Sequence, residues 1–263
     1  MSSKFELTRS VVVITGGARG IGRATALALR EAGAVVAIGD IDDIEAKRTG
    51  EQLGIFAGKL DVSDPESVED FHTAVEDALG PVQVWINNAG IMPVGPMLAQ
   101  DDATVNRIVS VNLLGVINGT RSAARRMRAR GAGRIVNIAS VAGRVPAPGL
   151  AVYNATKFGV VGFGEAVDAE LEPHGVRVST VFPTFTDTGL LSEVEAVGAL
   201  APMSPQDVAD AVVKVIRTGQ RQISLPSWSG LGTSLWLLIP RPVARFLRRR
   251  TGLDRVFLEP KAQ

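Results

Sequence analysis

The stretch Val11-Val12-Val13-Ile14-Thr15-Gly16-Gly17-Ala18-Arg19-Gly20-Ile21-Gly22 runs from an unbroken β-forming segment into a glycine-rich turn and then into an Ala/Leu-rich helical pattern reaching Ala32. A strand, a tight turn and a helix in immediate succession form the opening unit of an open α/β sheet. Glycines there let the backbone turn sharply and approach a pyrophosphate, whose charge sits at the helix N-terminus. The spacing is G-x-x-x-G-x-G over Gly16, Gly20 and Gly22.

Outward from this unit the same rhythm repeats. Strand patterns are expected over Ala34–Asp40, Ile55–Val62, Val82–Asn87, Arg134–Ala139, Val176–Phe182 and Gln222–Leu225. Between them lie helical patterns over Asp42–Leu53, Pro65–Leu79, Asp101–Arg130, Ala151–Glu172 and Pro205–Thr218. The strands read as continuous apolar runs, as expected when both faces of a parallel sheet are covered by helices. The expectation is an α/β fold of the Rossmann type: a doubly wound parallel sheet of about seven strands. No Pro/Gly/Ser linker or repeat divides the chain, so residues 1–263 are read as one domain.

Composition narrows the chemistry. There is no cysteine, which removes disulfides, thiol nucleophiles and cysteine metal sites. Of the two histidines, His72 and His174, neither can build a multi-histidine metal centre with the other. Both are expected on exposed helix ends, without a catalytic part. No metal is expected. Arg241 to Arg255 carries a net +5, which leaves −4 for the rest of the chain. That balance speaks against nucleic acid as a partner. The uncharged run Gln222–Pro240 is interrupted by Pro226, Gly230 and Gly232 and does not read as a membrane span, and a cytoplasmic protein is expected.

Asp40 closes the second strand, where a carboxylate accepts both hydroxyls of an adenine ribose. A 2′-phosphate there would meet the carboxylate, and two unit charges about 4 Å apart repel by about 4 kcal/mol at an effective dielectric near 20. NAD is therefore favoured over NADP. Arg19, in the glycine loop, argues the other way, since a guanidinium could pair with that phosphate.

Tyr153, the chain's one tyrosine, and Lys157 stand four residues apart on a helical pattern, so both project from one face. A phenol serves as a base near neutral pH only beside a cation, and Lys157 supplies one. Ser140, at the end of the fifth strand, can hydrogen-bond a substrate oxygen. Gly90 follows the fourth strand and leaves room for a ligand against the backbone.

Together Thr15 to Gly22, Asp61-Val62, Asn87-Asn88-Ala89-Gly90, Asn112, Ser140 and Tyr153-x-x-x-Lys157 resemble the single-domain branch of the short-chain dehydrogenase/reductase family. The resemblance spans about Val11 to Thr188. It implies Asn112, Ser140, Tyr153 and Lys157 as catalytic residues, with Asn112 helping to hold a water that links Lys157 to solvent. It implies cofactor contacts from Gly16, Arg19, Gly20, Ile21, Gly22, Asp40, Asp61, Val62, Asn88, Ala89, Gly90, Tyr153, Lys157, Pro183 and Thr188. Asp61 would accept from the adenine amino group. Family members are often dimers or tetramers, so a homo-oligomer is expected. One departure stands out: Pro-Gly commonly follows the sixth strand, whereas Pro183 is followed here by the β-branched Thr184.

The activity expected is an NAD-dependent exchange of a secondary alcohol and a ketone, on a hydroxysteroid-like or other lipophilic substrate. The alternatives are an NADPH-dependent 3-oxoacyl thioester reductase and a cofactor-binding protein without catalysis. Segments expected to border the substrate, Ile91–Leu98, Val141–Leu150 and the loop 184–203, are apolar, with Arg144 their only basic residue. Residues 226–263 form a divergent C-terminal segment. In it Val243, Phe246 and Leu247 share one helical face, with Arg245, Arg248 and Arg249 on another. Packing of that face on the cleft or another subunit is favoured over a peripheral membrane contact.

Overall fold

The computed structural model describes residues 5–184, 186, 203–227, 229–251 and 257–258. Seven strands, β1 (Val11–Thr15), β2 (Val35–Asp40), β3 (Phe56–Lys59), β4 (Val82–Asn87), β5 (Gly133–Ile138), β6 (Val176–Phe182) and β7 (Gln222–Ser224), pair in the order β3-β2-β1-β4-β5-β6-β7. Every pairing is parallel. The order reverses between β1 and β4, and the crevice beyond their carboxyl ends is where such sheets bind ligands.

Alternation along β1 explains the two-layer core. Val12 and Ile14 join one buried cluster with Leu29 of α1 (Gly20–Glu31) and Val208 and Val212 of α7 (Pro205–Thr218). Val11 and Val13 face the opposite cluster, filled by Phe71 and Val75 of α3 (Pro65–Leu79) and by Ala123 and Met127 of α5 (Gly115–Arg130). The period of two, with both faces covered, is what the unbroken apolar strand sequences require.

Helix starts follow local chemistry. Asp42 caps α2 (Asp43–Leu53) by accepting from Glu45 N at 3.1 Å, and Asp101 caps α4 (Asp102–Val109) by accepting from Thr104 N at 2.7 Å. Ser204 opens α7 with a full capping box to Asp207. By contrast α1 begins at Arg19 with no side-chain cap and no acidic residue in its first turn. Its first N–H groups are left to whatever occupies the glycine loop.

Four expectations are corrected. The helical run from Asp101 to Arg130 is broken into α4 and α5 by a π turn at Ser110–Leu114. That turn seats Asn112, whose carboxamide bonds a neighbouring loop. β3 is shorter than Ile55–Val62, because its pairing with β2 ends at Asp40 opposite Lys59. His72 is fully buried rather than at an exposed helix end, since it lies on the core side of α3 beside Val68, Phe71 and Val75. A further helix, α8 (Ser229–Leu235), and the turn Trp236–Leu238 precede the basic helix α9 (Arg241–Thr251). No helix among the described residues is long and apolar enough to cross a membrane.

Candidate active site

The glycine loop and the end of β4 are tied together across the sheet's switch point. Thr15 Oγ1 accepts from Asn88 N and Ala89 N, both at 3.0 Å. The Asn88 carboxamide donates to Thr15 O at 2.9 Å and Gly16 O at 2.8 Å. Gly16 holds φ +63°, and a Cβ there would stand 2.7 Å from Ala89 Cα. At Gly22 a Cβ would come to 2.1 Å from Gly16 O, so the loop closes onto α1 only if this position has no side chain. Ile21 is half-buried behind it.

At the end of β2 the Asp40 carboxylate accepts from Ala18 N and Asp42 N, each at 3.1 Å, which aims it over the glycine loop. Arg19 is engaged elsewhere: its guanidinium pairs with Asp42 at 2.8 Å and reaches Glu45 at 3.8 Å. Asp61 accepts from Ser63 N at 2.9 Å and Ser63 Oγ at 2.6 Å, which fixes the turn after β3. Val62 is buried under Gly115, and its carbonyl accepts from Asn118 at 3.0 Å.

The opposite wall is built by α6 (Ala151–Leu171). The Lys157 ammonium is buried, donates to Ile138 O at 3.0 Å, and lies 5.6 Å from the centre of the Tyr153 ring. Burial pushes that ammonium down to about 8. Burial likewise pushes the Tyr153 phenol up to about 12, against the opposing pull of a hydrogen bond with the Ser140 side chain. Burial thus outweighs the Ser140 hydrogen bond at the phenol, while the Lys157 ammonium donates to the carbonyl at the end of β5. Ser140 also accepts from Ala142 N at 3.1 Å and so caps the short turn Val141–Gly143.

Gly90 joins the two walls. A Cβ placed on it would lie 3.4 Å from Asn112 Oδ1 and 3.8 Å from Lys157 Nζ. The Asn112 carboxamide accepts from Ile91 N and donates to Ile91 O, both at 2.8 Å. Its side chain thus pins the loop after β4, a positioning duty that the resemblance did not supply. Ser140, Tyr153, Lys157, Asn112 and Gly90 therefore converge at the carboxyl ends of β4 and β5.

After β6, Pro183 O accepts from Val141 N at 2.9 Å and Thr184 N donates to Leu225 O at 3.2 Å. Thr184 prolongs the pairing toward β7, a setting in which a β-branched residue is at ease. Thr186 bridges Met203. Thr188, and the loop 184–203 apart from Thr184, Thr186 and Met203, lie outside the described residues.

Two residues have a supporting role that sequence reasoning did not assign. Asn154 braces the loop over the site, donating to Ala142 O at 2.7 Å and accepting from Ala147 N at 3.1 Å. Asn87, buried, donates to Thr120 at 3.0 Å and Asn137 at 2.8 Å, and so locks β4 to β5. The sequence signal of Asn154 is its place directly after Tyr153, and that of Asn87 is its place in the Asn87-Asn88-Ala89-Gly90 motif. Arg144 stacks 3.5 Å over the Phe182 ring and bonds Ser224 and Gln222, so the one basic residue of the expected substrate segments is turned toward β7.

Known proteins match this arrangement. The chain is 34% identical over 233 residues to "Probable oxidoreductase EphD" of Mycobacterium tuberculosis, covering 79% of this chain but only 39% of that protein. It thus spans about two fifths of that relative's length. Estradiol 17-beta-dehydrogenase 11 of Macaca fascicularis is 28% identical, over 92% of this chain and 83% of its own. A 3-ketoacyl-(acyl-carrier-protein) reductase of Brucella melitensis, solved in complex with NADH, superposes with a TM-score of 0.78 at 29% identity, over 83% of this chain and 97% of its own. Residues 10–197 match the family described as short chain dehydrogenase, and with the glycine loop, the parallel sheet and the Tyr153–Lys157 helix in place, this chain belongs to the short-chain dehydrogenase/reductase family of oxidoreductases.

Proposed function

We propose that the protein interconverts a secondary alcohol and a ketone on a bulky apolar substrate with NAD as its cofactor. The observation that carries this reading is the convergence of Ser140, Tyr153 and Lys157 beside Gly90. A dinucleotide fits the residues present. The close approach of Gly16 and Gly22 leaves the loop backbone bare, and the uncapped start of α1 offers N–H groups to a pyrophosphate. When bound, the nicotinamide supplies the acceptor or donor of hydride.

The chain's own residues handle the proton. In reduction, the neutral phenol of Tyr153 donates its proton to the carbonyl oxygen, and in oxidation its oxygen takes the proton of the alcohol. Ser140 bonds the same substrate oxygen and fixes its distance to Tyr153. Near neutral pH the phenol, which burial holds above its ordinary value, is protonated and able to donate in the reducing direction. In oxidation the Lys157 ammonium, which keeps its charge while it donates to the Ile138 carbonyl, favours the phenolate.

Asp40 supports NAD, because its carboxylate occupies the strand end where a 2′-phosphate would lie. Arg19 offers less to that phosphate than its position in the sequence suggests, being paired with Asp42. A second reading is reduction of a 3-oxoacyl thioester, favoured by the likeness to the Brucella reductase. Fluorescence titration with NADH and NADPH, followed by turnover on a panel of lipophilic alcohols, ketones and 3-oxoacyl thioesters, separates the two. NADH preference with turnover of secondary alcohols supports the first reading. Turnover confined to thioesters selects the second, and cofactor binding with no turnover at all overturns both.

A further inference from the structure

From Ala211 to Leu253 the sequence holds no acidic residue but eight basic ones: Lys214, Arg217, Arg221, Arg241, Arg245, Arg248, Arg249 and Arg250. Within this stretch α8, the turn Trp236–Leu238 and α9 expose large apolar side chains rather than cover them. Leu235 is 47% exposed, Leu238 78%, Val243 47% and Phe246 58%, four such residues within twelve positions. They account for four of the ten exposed large hydrophobic side chains among the described residues. Among the described side chains of α9, Ala244 is buried. Val243 and Phe246 stand one turn apart on the outer surface, and Arg245, Arg249 and Arg250 are exposed beside them. Val243 and Phe246 are exposed on their own chain, so of the two covers expected from the sequence, the cleft or another subunit, the cleft is not theirs.

An apolar face costs free energy in water and wants a cover. Arg245 and Arg250 beside it, in a segment with no carboxylate from Gln222 to Leu253, set the sign of that cover. Two copies of the face meeting about a twofold axis would bring arginine against arginine. A surface that is apolar beneath and anionic at its rim meets both requirements at once. The segment also lies on the side of the site: α8 follows the carboxyl end of β7, and the backbone of Phe257, beyond α9, packs on Gly149, just ahead of α6 and Tyr153. We infer that α8 and α9 form a peripheral docking surface for anionic lipid, set beside the substrate end of the sheet. The inference rests on exposure and charge and does not depend on the activity proposed above.

Co-sedimentation of the full chain with vesicles tests it, using neutral phosphatidylcholine against phosphatidylcholine containing about a third phosphatidylserine at physiological salt. The expected result is binding to the anionic vesicles at least tenfold stronger than to the neutral ones. Phe246→Glu and the double variant Arg245→Glu/Arg250→Glu should each lose that advantage while keeping the wild-type circular dichroism and cofactor binding. Three outcomes would overturn the proposal. The wild type could stay in the supernatant with both vesicle types, or the variants could bind as the wild type does. Sedimentation velocity without lipid could instead show that the same variants break an oligomer, which would make the face a subunit contact.

Discussion

Lowering the pH from about 7.5 to about 5 should cost the protein about 2 kcal/mol of folding stability through His72 alone. The ring is fully buried between α3 and α5, 4.8 Å from the Trp85 ring centre, with Nδ1 2.8 Å from Ser122 Oγ. Its Nε2 has no hydrogen-bond partner, and the Glu76 carboxylate stands 3.7 Å away. Burial pushes the imidazole down from its ordinary 6.5 to about 4; Arg126 and Arg130 reinforce the shift, and Glu76 and Glu69 oppose it. The unfolded chain therefore binds a proton through that window while the folded chain does not. Stability is complete above the unfolded value, falls as pH drops below it, and levels off below the folded one. Urea denaturation of the wild type and His72→Asn at both pH values isolates the effect, because the asparagine cannot titrate and the other carboxylates and arginines are common to both. The wild type should lose about 2 kcal/mol more than the variant between the two conditions. Equal losses would refute the reasoning and mean that the folded protein accommodates the imidazolium, with Glu76 as its counter-ion.

Tyr153→Phe should lower turnover by about a hundred- to ten-thousandfold while leaving NADH affinity within a few-fold, since only the proton-carrying oxygen is lost; steady-state kinetics and a fluorescence titration check both halves. Asp40→Ala should weaken NAD and strengthen NADP, narrowing the preference between them by about tenfold or more, which competitive titration measures. Gly22→Ala puts a methyl group 2.1 Å from Gly16 O, so saturable NADH binding should disappear even where circular dichroism shows a folded chain. Lys157→Ala should damage both NADH affinity and turnover, and an unchanged dissociation constant would remove the ammonium from cofactor binding.

Much of the site could be read in advance where local chemistry and sheet position coincide. β1 and its loop are one continuous message: apolar on both faces, then glycine at Gly16, Gly17 and Gly22, where a Cβ would meet Ala89, Ile38 and the Gly16 carbonyl. Tyr153 and Lys157 follow from helical spacing read together with the glycine loop and the other motifs. What could not be read comes from contacts made across the fold. The helical pattern from Asp101 to Arg130 carries no break, yet Asn112 prefers the Ile91 backbone in a different loop and the helix adopts a π turn around it. Helical spacing gives no sign that the Lys157 ammonium also donates to the Ile138 carbonyl at the end of β5. His72 offered a weak clue, three residues before Val75 and four after Val68, while the partners that bury it, Ser122 and Arg126, arrive from α5 some fifty residues on.

The seam between β1 and β4 has a consequence for how the molecule assembles. Pairing Val12 with Val84 and Ile14 with Ile86 joins chain segments about seventy residues apart, with β2 and β3 lying on the far side of β1. Such non-local parallel pairing is slow to form, because the loop-closure entropy is spent before the contacts reward it. Until it forms, the exposed edges of β1 and β4 invite pairing with other chains. The hydrogen bonds from Thr15 to Asn88 and Ala89 fasten that seam, and they lie at the cleft where a dinucleotide would bridge the two halves. A ligand held there binds the joined state and not the separate halves, so cofactor added during refolding should raise the yield of native protein by mass action.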